Sequence, residues 1–306
     1  MGGRKRHRLG EFFWSKTANG QLAEPLGAIS LWSKTLGVRP GSERGQTPEG
    51  SPSASLFSLT RVQGDYLRRG TAEFIGAFAL TFFGAGAIMV GSAGLLGVAL
   101  AHGLAIAVMV SAVGHISGGH FNPAVTLAFL ITRRMAPLLA VVYWVTQFAA
   151  AVVGALLVKA IFPDQLTDRA KLGAPGVASV IGSGAGFAME MVMTFFLVFV
   201  VFATAADPRG TFKSIAGLAI GLTITMDILA GGPLTGAAMN PARAFGPELV
   251  QNVWTNGWVW YAGPVAGAVV AALAYEFLYL RPLAPVPVGP PETGLEEPRP
   301  GDTALS

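Results

Sequence analysis

The chain has 306 residues, of which 52% are hydrophobic and 12% are charged, whereas soluble globular domains have roughly a quarter charged residues. Its mean hydropathy is +0.54, so a soluble core cannot bury all of its apolar surface, and the composition predicts an integral membrane protein. The chain contains no cysteine, which excludes disulfides, thiolate metal sites and cysteine nucleophiles.

The two ends of the chain are polar. Residues 1–66 are rich in Gly, Ser and Pro and predict a disordered basic tail, and residues 284–306 predict a second, Pro- and Glu-rich tail. Residues 1–70 contain 11 Lys or Arg against 5 Asp or Glu. A basic end on a membrane protein indicates topology and not nucleic-acid binding, so we expect no nucleic-acid partner. No apolar run typical of a signal peptide follows the basic start.

The middle of the chain, residues 67–283, is organised around apolar runs. Six of these runs approach the ~20 residues with which a helix crosses the hydrocarbon core. Two shorter runs each open with Asn-Pro and are too short to span. The sequence therefore predicts an all-α membrane protein with six transmembrane helices and two re-entrant half-helices. The six runs are Thr71–Val90, Leu95–Val113, Ala136–Ile161, Ala185–Ala206, Ile215–Ala230 and Trp258–Leu280, and the two short ones are Pro123–Ile131 and Pro241–Val250.

Charges in the short loops predict the orientation of the chain. Cytoplasmic loops of membrane proteins carry an excess of Lys and Arg. With six spans, the basic N-terminus and the basic loops fall on one side of the bilayer. We therefore expect both termini to be cytoplasmic. The loop and end residues concerned are Arg133, Arg134, Arg209, Lys213 and Arg281.

The chain repeats itself. Glu73 and Glu190 are 117 residues apart, and Asn122 and Asn240 are 118 apart. Each half contains three spans and one half-span, and because three is odd the second half enters the membrane from the opposite side. Interrupted segments in equivalent places of an inverted repeat indicate a functional site near the midplane. The matching segments around the asparagines are Ser117–Ala124 and Thr235–Ala242.

Each half-helix begins with Asn-Pro-Ala, a combination suited to a helix start inside the membrane. Asn is a favoured N-cap, and Pro fits the first helical position, where its missing N–H is no loss. The capping amide retains N–H donors that can face a pore, and two helix N-termini that meet at the midplane repel cations. The residues are Asn122, Pro123 and Ala124 in the first half and Asn240, Pro241 and Ala242 in the second.

With these motifs the chain resembles the aquaporin, or major intrinsic protein, family from about Arg68 to Arg281. The resemblance implies a right-handed bundle of six helices and two half-helices that assembles as a homotetramer with one pore per subunit. It also implies a channel for water and small uncharged solutes in a lipid bilayer, and not an enzyme or a cofactor-binding protein. The motifs are Ala72-Glu73-Phe74, the segment from Ser117 to Thr126, and the segment from Gly236 to Pro247.

The resemblance assigns a selectivity filter to His102, Ile228, Ala237 and Arg243. This set departs from the pattern of water-only members and is similar to the filters of plant tonoplast intrinsic proteins. Ammonia, urea and hydrogen peroxide are therefore alternative substrates. Glycerol is disfavoured because Ala244 stands where glycerol facilitators carry Asp, and because an aromatic pair typical of water-type members precedes Ala262. That pair is Trp260 and Tyr261.

Other polar residues lie inside or next to the predicted spans. We expect Glu73, Glu190 and His120 to support the re-entrant loops, because such loops leave backbone N–H groups that a buried carboxylate can accept. Asp227 adjoins Ile228, and its sequence position leaves two roles open: packing against a neighbouring helix, or tuning His102.

Two other function classes compete with a passive channel. A secondary transporter also uses inverted repeats, but it is expected to have ion-coordinating carboxylates at its broken helices, where this chain has only asparagines. A membrane enzyme needs a nucleophile and base or a ligand cluster, and the sequence shows neither. The long basic tail is unlike typical members of the resembled family and favours a bacterial inner membrane as the location.

Overall fold

The computed structural model describes residues 52–92, 94–210 and 215–281. The predicted C-terminal tail, residues 1–51 of the predicted N-terminal tail and Lys213 lie outside these ranges. Within them, six helices are long and apolar enough to cross a membrane. The predicted number of spans therefore agrees with the described helices.

The first half of the repeat contains three long helices and one short one. The half-helix α3 begins and ends where the sequence predicts, because Asn122 caps it and Pro123 occupies its first turn. The helices are α1 (Pro52–Val90), α2 (Gly94–Ser117), α3 (Pro123–Ile131) and α4 (Pro137–Ile161).

Helix α1 begins earlier than predicted, inside the segment 1–66 that the sequence assigned to a disordered tail. It has 39 residues and starts at Pro52, a residue suited to the first turn of a helix. Farther along, Asp65 pairs with Arg68 at 2.8 Å and with Arg69 at 2.7 Å. Ion pairs with these spacings stabilise a helix, and composition alone did not reveal them.

The second half repeats this arrangement after a connection that contains the short helix α5 (Asp164–Arg169). Its helices are α6 (Ser183–Val201), α7 (Ala216–Thr235), the half-helix α8 (Pro241–Gln251) and α9 (Val259–Tyr275). Single π-helical segments, Phe202–Ala206 and Glu276–Leu280, continue α6 and α9.

Helix α7 extends five residues beyond the predicted end at Ala230. It continues through Pro233 in its last turn, where proline has no N–H to donate to the carbonyl of Leu229. Gly236 ends the helix with a φ of +79° and donates its N–H to Gly232, as is typical of glycine at a helix C-terminus.

Small residues bring the spans close together. A Cβ added to Gly217 of α7 would lie 2.6 Å from the carbonyl oxygen of Ala107 in α2, and one added to Gly263 of α9 would lie 2.7 Å from the Cβ of Glu190 in α6. Such close approaches are how membrane helices pack without a hydrophobic driving force. The pair α2–α7 therefore joins the two halves of the bundle, whereas the pair α6–α9 packs within the second half.

The outer surface of the bundle is apolar. Phe83, Leu104 and Leu222 are 56%, 54% and 54% exposed. A soluble protein would expose few such contiguous side chains. Lipid tails are the surroundings that this surface requires.

Candidate functional site

In the first half, Glu73 organises the loop that precedes the half-helix. Its Oε1 accepts hydrogen bonds from Ser117 Oγ at 2.7 Å and from the backbone N–H of His120 at 2.9 Å. Its Oε2 accepts from the backbone N–H of Phe121 at 2.6 Å and from Gln147 Nε2 at 2.7 Å. The side chain is fully buried, so these four donors replace the water that the carboxylate lost.

In the second half, Glu190 occupies the equivalent place. It accepts hydrogen bonds from Thr235 Oγ1 at 2.7 Å, from the N–H of Ala238 at 2.9 Å and from the N–H of Met239 at 2.7 Å. The carboxylate is also fully buried. Backbone donors that would be orphaned inside a membrane are thus satisfied in both halves by one acidic side chain.

A second pair of equivalent residues fastens the same loops to the third span of each half. Tyr143 donates its hydroxyl to the carbonyl of Ser117 at 2.5 Å, and Trp260 donates its indole N–H to the carbonyl of Thr235 at 3.0 Å. His120 bonds through Nδ1 to Thr126 Oγ1 at 3.1 Å. The loops are therefore fixed from several sides before either half-helix begins.

The residue before each half-helix asparagine has a left-handed backbone. Phe121 has a φ of +49° and Met239 has a φ of +52°. This conformation costs roughly 1–2 kcal/mol in a residue with a Cβ. Both residues are buried, and a glutamate accepts the N–H of each, so the surrounding contacts hold them in a conformation that the isolated chain avoids.

The two asparagines cap the half-helices as the sequence predicts. Asn122 Oδ1 accepts from the N–H of Ala124 at 2.9 Å. Asn240 Oδ1 accepts from Ala242 at 3.0 Å and from Arg243 at 3.2 Å. Both N-cap residues have extended backbones, as N-caps do.

Each asparagine also binds the opposite half. Asn122 Nδ2 donates to the carbonyl of Met239 at 2.8 Å, and Asn240 Nδ2 donates to the carbonyl of Phe121 at 2.9 Å. A carboxamide has two N–H donors, so one donor of each asparagine joins the halves and one is left for another acceptor. The sequence did not predict this exchange.

The asparagines border a narrow cavity of about 30 Å³. The four residues assigned to the filter and His120 also line it. Six residues of the predicted site do not line the cavity in the described chain: Pro123, Ala124, Pro241, Ala242, Glu73 and Glu190. All six are buried. The lining residues from the predicted site are His102, His120, Asn122, Ile228, Ala237, Asn240 and Arg243.

Much of the remaining wall is aliphatic, and these residues were missed by the sequence analysis. Ile220 and Ile224 line the cavity from α7 in register with Ile228, and Leu197 and Val201 line it from α6. Residues four apart lie on one face of a helix. Counting back from Ile228 in steps of four residues would have identified Ile224 and Ile220.

Arg243 is almost fully buried and is bound on two sides. Its Nη1 donates to the carbonyl of Gly173 at 2.8 Å, and its Nη2 lies 3.2 Å from His102 Nε2. On the other side of the ring, His102 Nδ1 lies 2.9 Å from the carbonyl of Val98. A carbonyl and a guanidinium leave a single consistent assignment: Nδ1 carries the proton and donates to Val98, while Nε2 accepts from Arg243. The imidazole in this arrangement is neutral.

Three residues discussed in the sequence analysis do not border this cavity in the described part of the chain. Trp260 supports a loop, Tyr261 donates its hydroxyl to Glu248 at 2.6 Å, and Asp227 is 4% exposed. Within the described ranges, Asp227 Oδ2 has no hydrogen-bond partner. Its burial in the helix packing favours the first of the two roles left open, and no hydrogen bond among the described residues joins it to His102.

Comparison with known proteins identifies a family. The model of the family described as "Major intrinsic protein" matches residues 60–275. Aquaporin TIP1-2 of Zea mays is 43% identical over 227 residues, which cover 71% of this chain and 87% of the relative. Probable aquaporin TIP3-2 of Arabidopsis thaliana is 42% identical over 232 residues, which cover 71% of this chain and 85% of the relative.

The fold agrees with a solved structure. The crystal structure of the aquaglyceroporin from Plasmodium falciparum superposes with a TM-score of 0.64 at 24% sequence identity, and the match covers 71% of this chain and 98% of that one. At this level of identity the likeness shows the shared fold alone. It supports the six-helix architecture with two half-helices.

One prediction of the sequence analysis is wrong. The similar proteins are plant aquaporins of the TIP type, the tonoplast group that the filter resembles, and they point to a plant vacuolar membrane. A bacterial inner membrane does not agree with these relatives. The basic N-terminal tail was misleading because it carries information on orientation and not on the kind of membrane.

Proposed function

Because the chain belongs to the major intrinsic protein family, we propose that it is a passive channel that conducts water across a membrane. The observation that carries the proposal is the cavity bordered by Asn122, Asn240, His102 and Arg243. The TIP-type aquaporins to which the chain is similar support the same activity.

At the centre of the channel, the remaining N–H donor of each asparagine holds a water molecule by its oxygen. Since that oxygen accepts from the protein, both hydrogens of the central water point outward along the pore. The aliphatic wall formed by Ile220, Ile224 and Leu197 offers no competing hydrogen bonds. Water molecules therefore bond to one another in single file with a reversal of direction at the centre, and this reversal interrupts proton transfer along the file.

Cations are excluded by fixed positive charge. Two helix N-termini meet at the asparagines, and each contributes a partial positive charge. Arg243 adds a full charge beside the same cavity. A cation would have to lose its hydration shell next to these charges, whereas a neutral molecule meets no such barrier.

The filter favours small neutral solutes in addition to water. Both ring nitrogens of His102 are occupied by Val98 and Arg243, and Ile228 presents an aliphatic surface. The constriction therefore offers few fixed polar groups that would select water over ammonia, urea or hydrogen peroxide. Conduction of these solutes is the second activity that we propose for the same pore.

The relatives support a plant vacuolar membrane as the location, and the family resemblance supports a homotetramer as the assembly. Exposed apolar side chains, of which Phe83 and Leu104 are examples, suit contacts with lipid and with neighbouring subunits. Chemical crosslinking in detergent micelles tests the assembly: a ladder ending at four subunits is expected, and a species no larger than a monomer contradicts it.

Selectivity is tested by stopped-flow light scattering of reconstituted proteoliposomes with water, ammonia, urea and glycerol. We expect water flux above that of empty liposomes and glycerol flux equal to theirs. Arg243→Val should increase solute entry relative to water, because the charge and the two contacts at the constriction are lost. Arg169→Val is the matched control, since Arg169 is exposed and lies in α5. An unchanged solute-to-water ratio in Arg243→Val would contradict the filter assignment.

A further inference from the structure

Gly84 in α1 lies directly against the imidazole ring of His102 in α2. A Cβ added to Gly84 would fall within 2.7 Å of three ring atoms, Nε2, Cδ2 and Cε1. Optimal contacts between heavy atoms lie near 3.5–4.0 Å. The ring therefore occupies the space that any side chain at position 84 would fill.

The ring separates Gly84 from the cavity. Leu80, one turn earlier on the same face of α1, lines the cavity, whereas Gly84 is not among its lining residues in the described chain. His102 lines the cavity at this level from α2. The imidazole thus lies between the backbone of α1 and the cavity. Because Gly84 has no side chain, the ring can pack directly against α1 and project less far into the cavity.

Two hydrogen bonds fix the ring in this place. Nδ1 donates to Val98 on the same helix, and Nε2 accepts from Arg243. The second bond joins the two charged or polar members of the filter directly. The position of Arg243 therefore depends on the position of the imidazole, and the position of the imidazole depends on the space left by Gly84.

We propose that Gly84 is a positioning residue of the selectivity filter, and that it sets the width of the constriction by seating His102 against α1. The inference rests on the proposed channel function. A side chain at position 84 displaces the imidazole toward the cavity and away from Arg243. The constriction then narrows, and Arg243 Nη2 loses its acceptor and turns its N–H groups to the permeating molecules.

The test is the Gly84→Ala variant, with Gly86→Ala as its matched control. Both changes add one methyl group to the same helix, but a Cβ on Gly86 would meet only the ring of Phe162, at an ordinary 3.7 Å. The permeability to the largest solute that the wild type conducts is measured in proteoliposomes. Gly84→Ala is expected to reduce this permeability several-fold, and Gly86→Ala is expected to leave it near the wild-type value. If water is the only permeant, water is that solute. Equal effects of the two variants would overturn the proposal.

A double-variant cycle separates a filter role from a general packing role. In the background of His102→Ala the ring is absent, so Gly84→Ala should no longer change the permeability ratio or the melting temperature. An effect of the same size in both backgrounds would overturn the proposal. If Gly84→Ala alone does not fold, the double variant should fold and conduct like His102→Ala, and its failure to fold would also contradict the proposal.

The two proposals fail in different ways. A wild-type protein that conducts nothing above empty liposomes contradicts the channel function, whereas the melting-temperature cycle requires no transport and still measures the coupling between Gly84 and His102. A conducting wild type whose Gly84→Ala variant matches Gly86→Ala contradicts the positioning role alone.

Discussion

Glu73 and Glu190 are equivalent residues of the two halves, and each accepts the backbone N–H groups of the two residues that precede the half-helix asparagine of its own half. One carboxylate thus shapes each loop that enters the membrane. The equivalence explains why these acidic side chains are buried in an otherwise apolar bundle.

Removal of one of these carboxylates should destabilise the fold. Glu190→Ala leaves the buried N–H groups of Ala238 and Met239 without an acceptor, and each unsatisfied group costs about 1–3 kcal/mol. We expect a large fall in the melting temperature of the purified protein, measured by intrinsic fluorescence. Asp65→Ala is the control, because it removes ion pairs with Arg68 and Arg69 near the surface that are worth about 0–1 kcal/mol each. Equal losses in the two variants would contradict the loop-support role.

Asn240 has two functions that one substitution can separate. Asn240→Asp retains an acceptor for the N–H groups of Ala242 and Arg243, but it loses the donor to Phe121 and adds negative charge beside the cavity. Asn240→Ala loses the cap as well, at a cost of about 1 kcal/mol. We therefore expect Asn240→Asp to be the more stable variant and to weaken cation exclusion.

The loss of cation exclusion is measured as proton entry into proteoliposomes, with a pH-sensitive dye inside them and an imposed proton gradient. Faster proton entry in Asn240→Asp than in the wild type is expected. Proton entry equal in Asn240→Asp, Asn240→Ala and the wild type would contradict the electrostatic account of exclusion.

Tyr261 should stabilise the outer end of the half-helix α8. Glu248 is fully buried and accepts from Tyr261 through Oε2, while its Oε1 has no partner within the described segments. Tyr261→Phe leaves both oxygens unpaired, so we expect a loss of about 1–3 kcal/mol. Tyr279→Phe is the control, because Tyr279 is 45% exposed.

A second variant checks the cause of this loss. Replacing both partners, as in Glu248→Met with Tyr261→Phe, removes the buried polar pair and should recover most of the stability. If the stability loss of the double variant equals the sum of the losses in Glu248→Met and Tyr261→Phe, the hydrogen bond is not the origin of the effect.

Asp207, which directly follows the π-helical segment after α6, should make stability depend on pH in the acid range. Hydrogen bonds from Arg209 hold the pKa of this carboxyl well below its usual range, with contacts from Arg209 Nη2 at 2.6 Å and from Tyr275 at 3.1 Å. A carboxyl whose pKa is lowered on folding contributes stability above its unfolded pKa of about 3.9, and this contribution is lost as the pH falls through the lower folded value.

The wild type should therefore melt above Asp207→Asn at neutral pH, and the difference should shrink as the pH falls below about 4. Melting temperatures from pH 3 to 8 measure this dependence, with Asp164→Asn, at an exposed position, as the control. A difference that stays constant across the whole range would show that the charge of Asp207 is not responsible.

The fold could be predicted from the sequence because two strong signals agree. Apolar runs near the length of a bilayer crossing locate the spans, and two short Asn-Pro segments at equivalent places of the repeat locate the half-helices. The bounds of α3 were predicted without error because the N-cap and the first-turn proline both mark its start. The start of α1 was missed, since ion pairs such as Asp65–Arg69 extend a polar helix that composition alone assigns to a tail.

The contacts between distant residues could not be predicted. The bond between His102 and Arg243 joins residues 141 apart, and the carbonyl of Gly173 reaches Arg243 from an irregular connection without a periodic pattern. The seat that Gly84 leaves for His102 depends on how two spans cross, which side-chain volumes in three dimensions decide. Sequence patterns fix the face on which a residue lies, but not the atom that it meets.

The most direct test of the channel function is osmotic water efflux from liposomes with and without the wild-type protein, measured by stopped-flow light scattering at several temperatures. A continuous file of water bypasses the cost of dissolving water in hydrocarbon, so we predict faster efflux with a weaker temperature dependence than in empty liposomes. Efflux with the same rate and the same temperature dependence as empty liposomes would contradict a water channel.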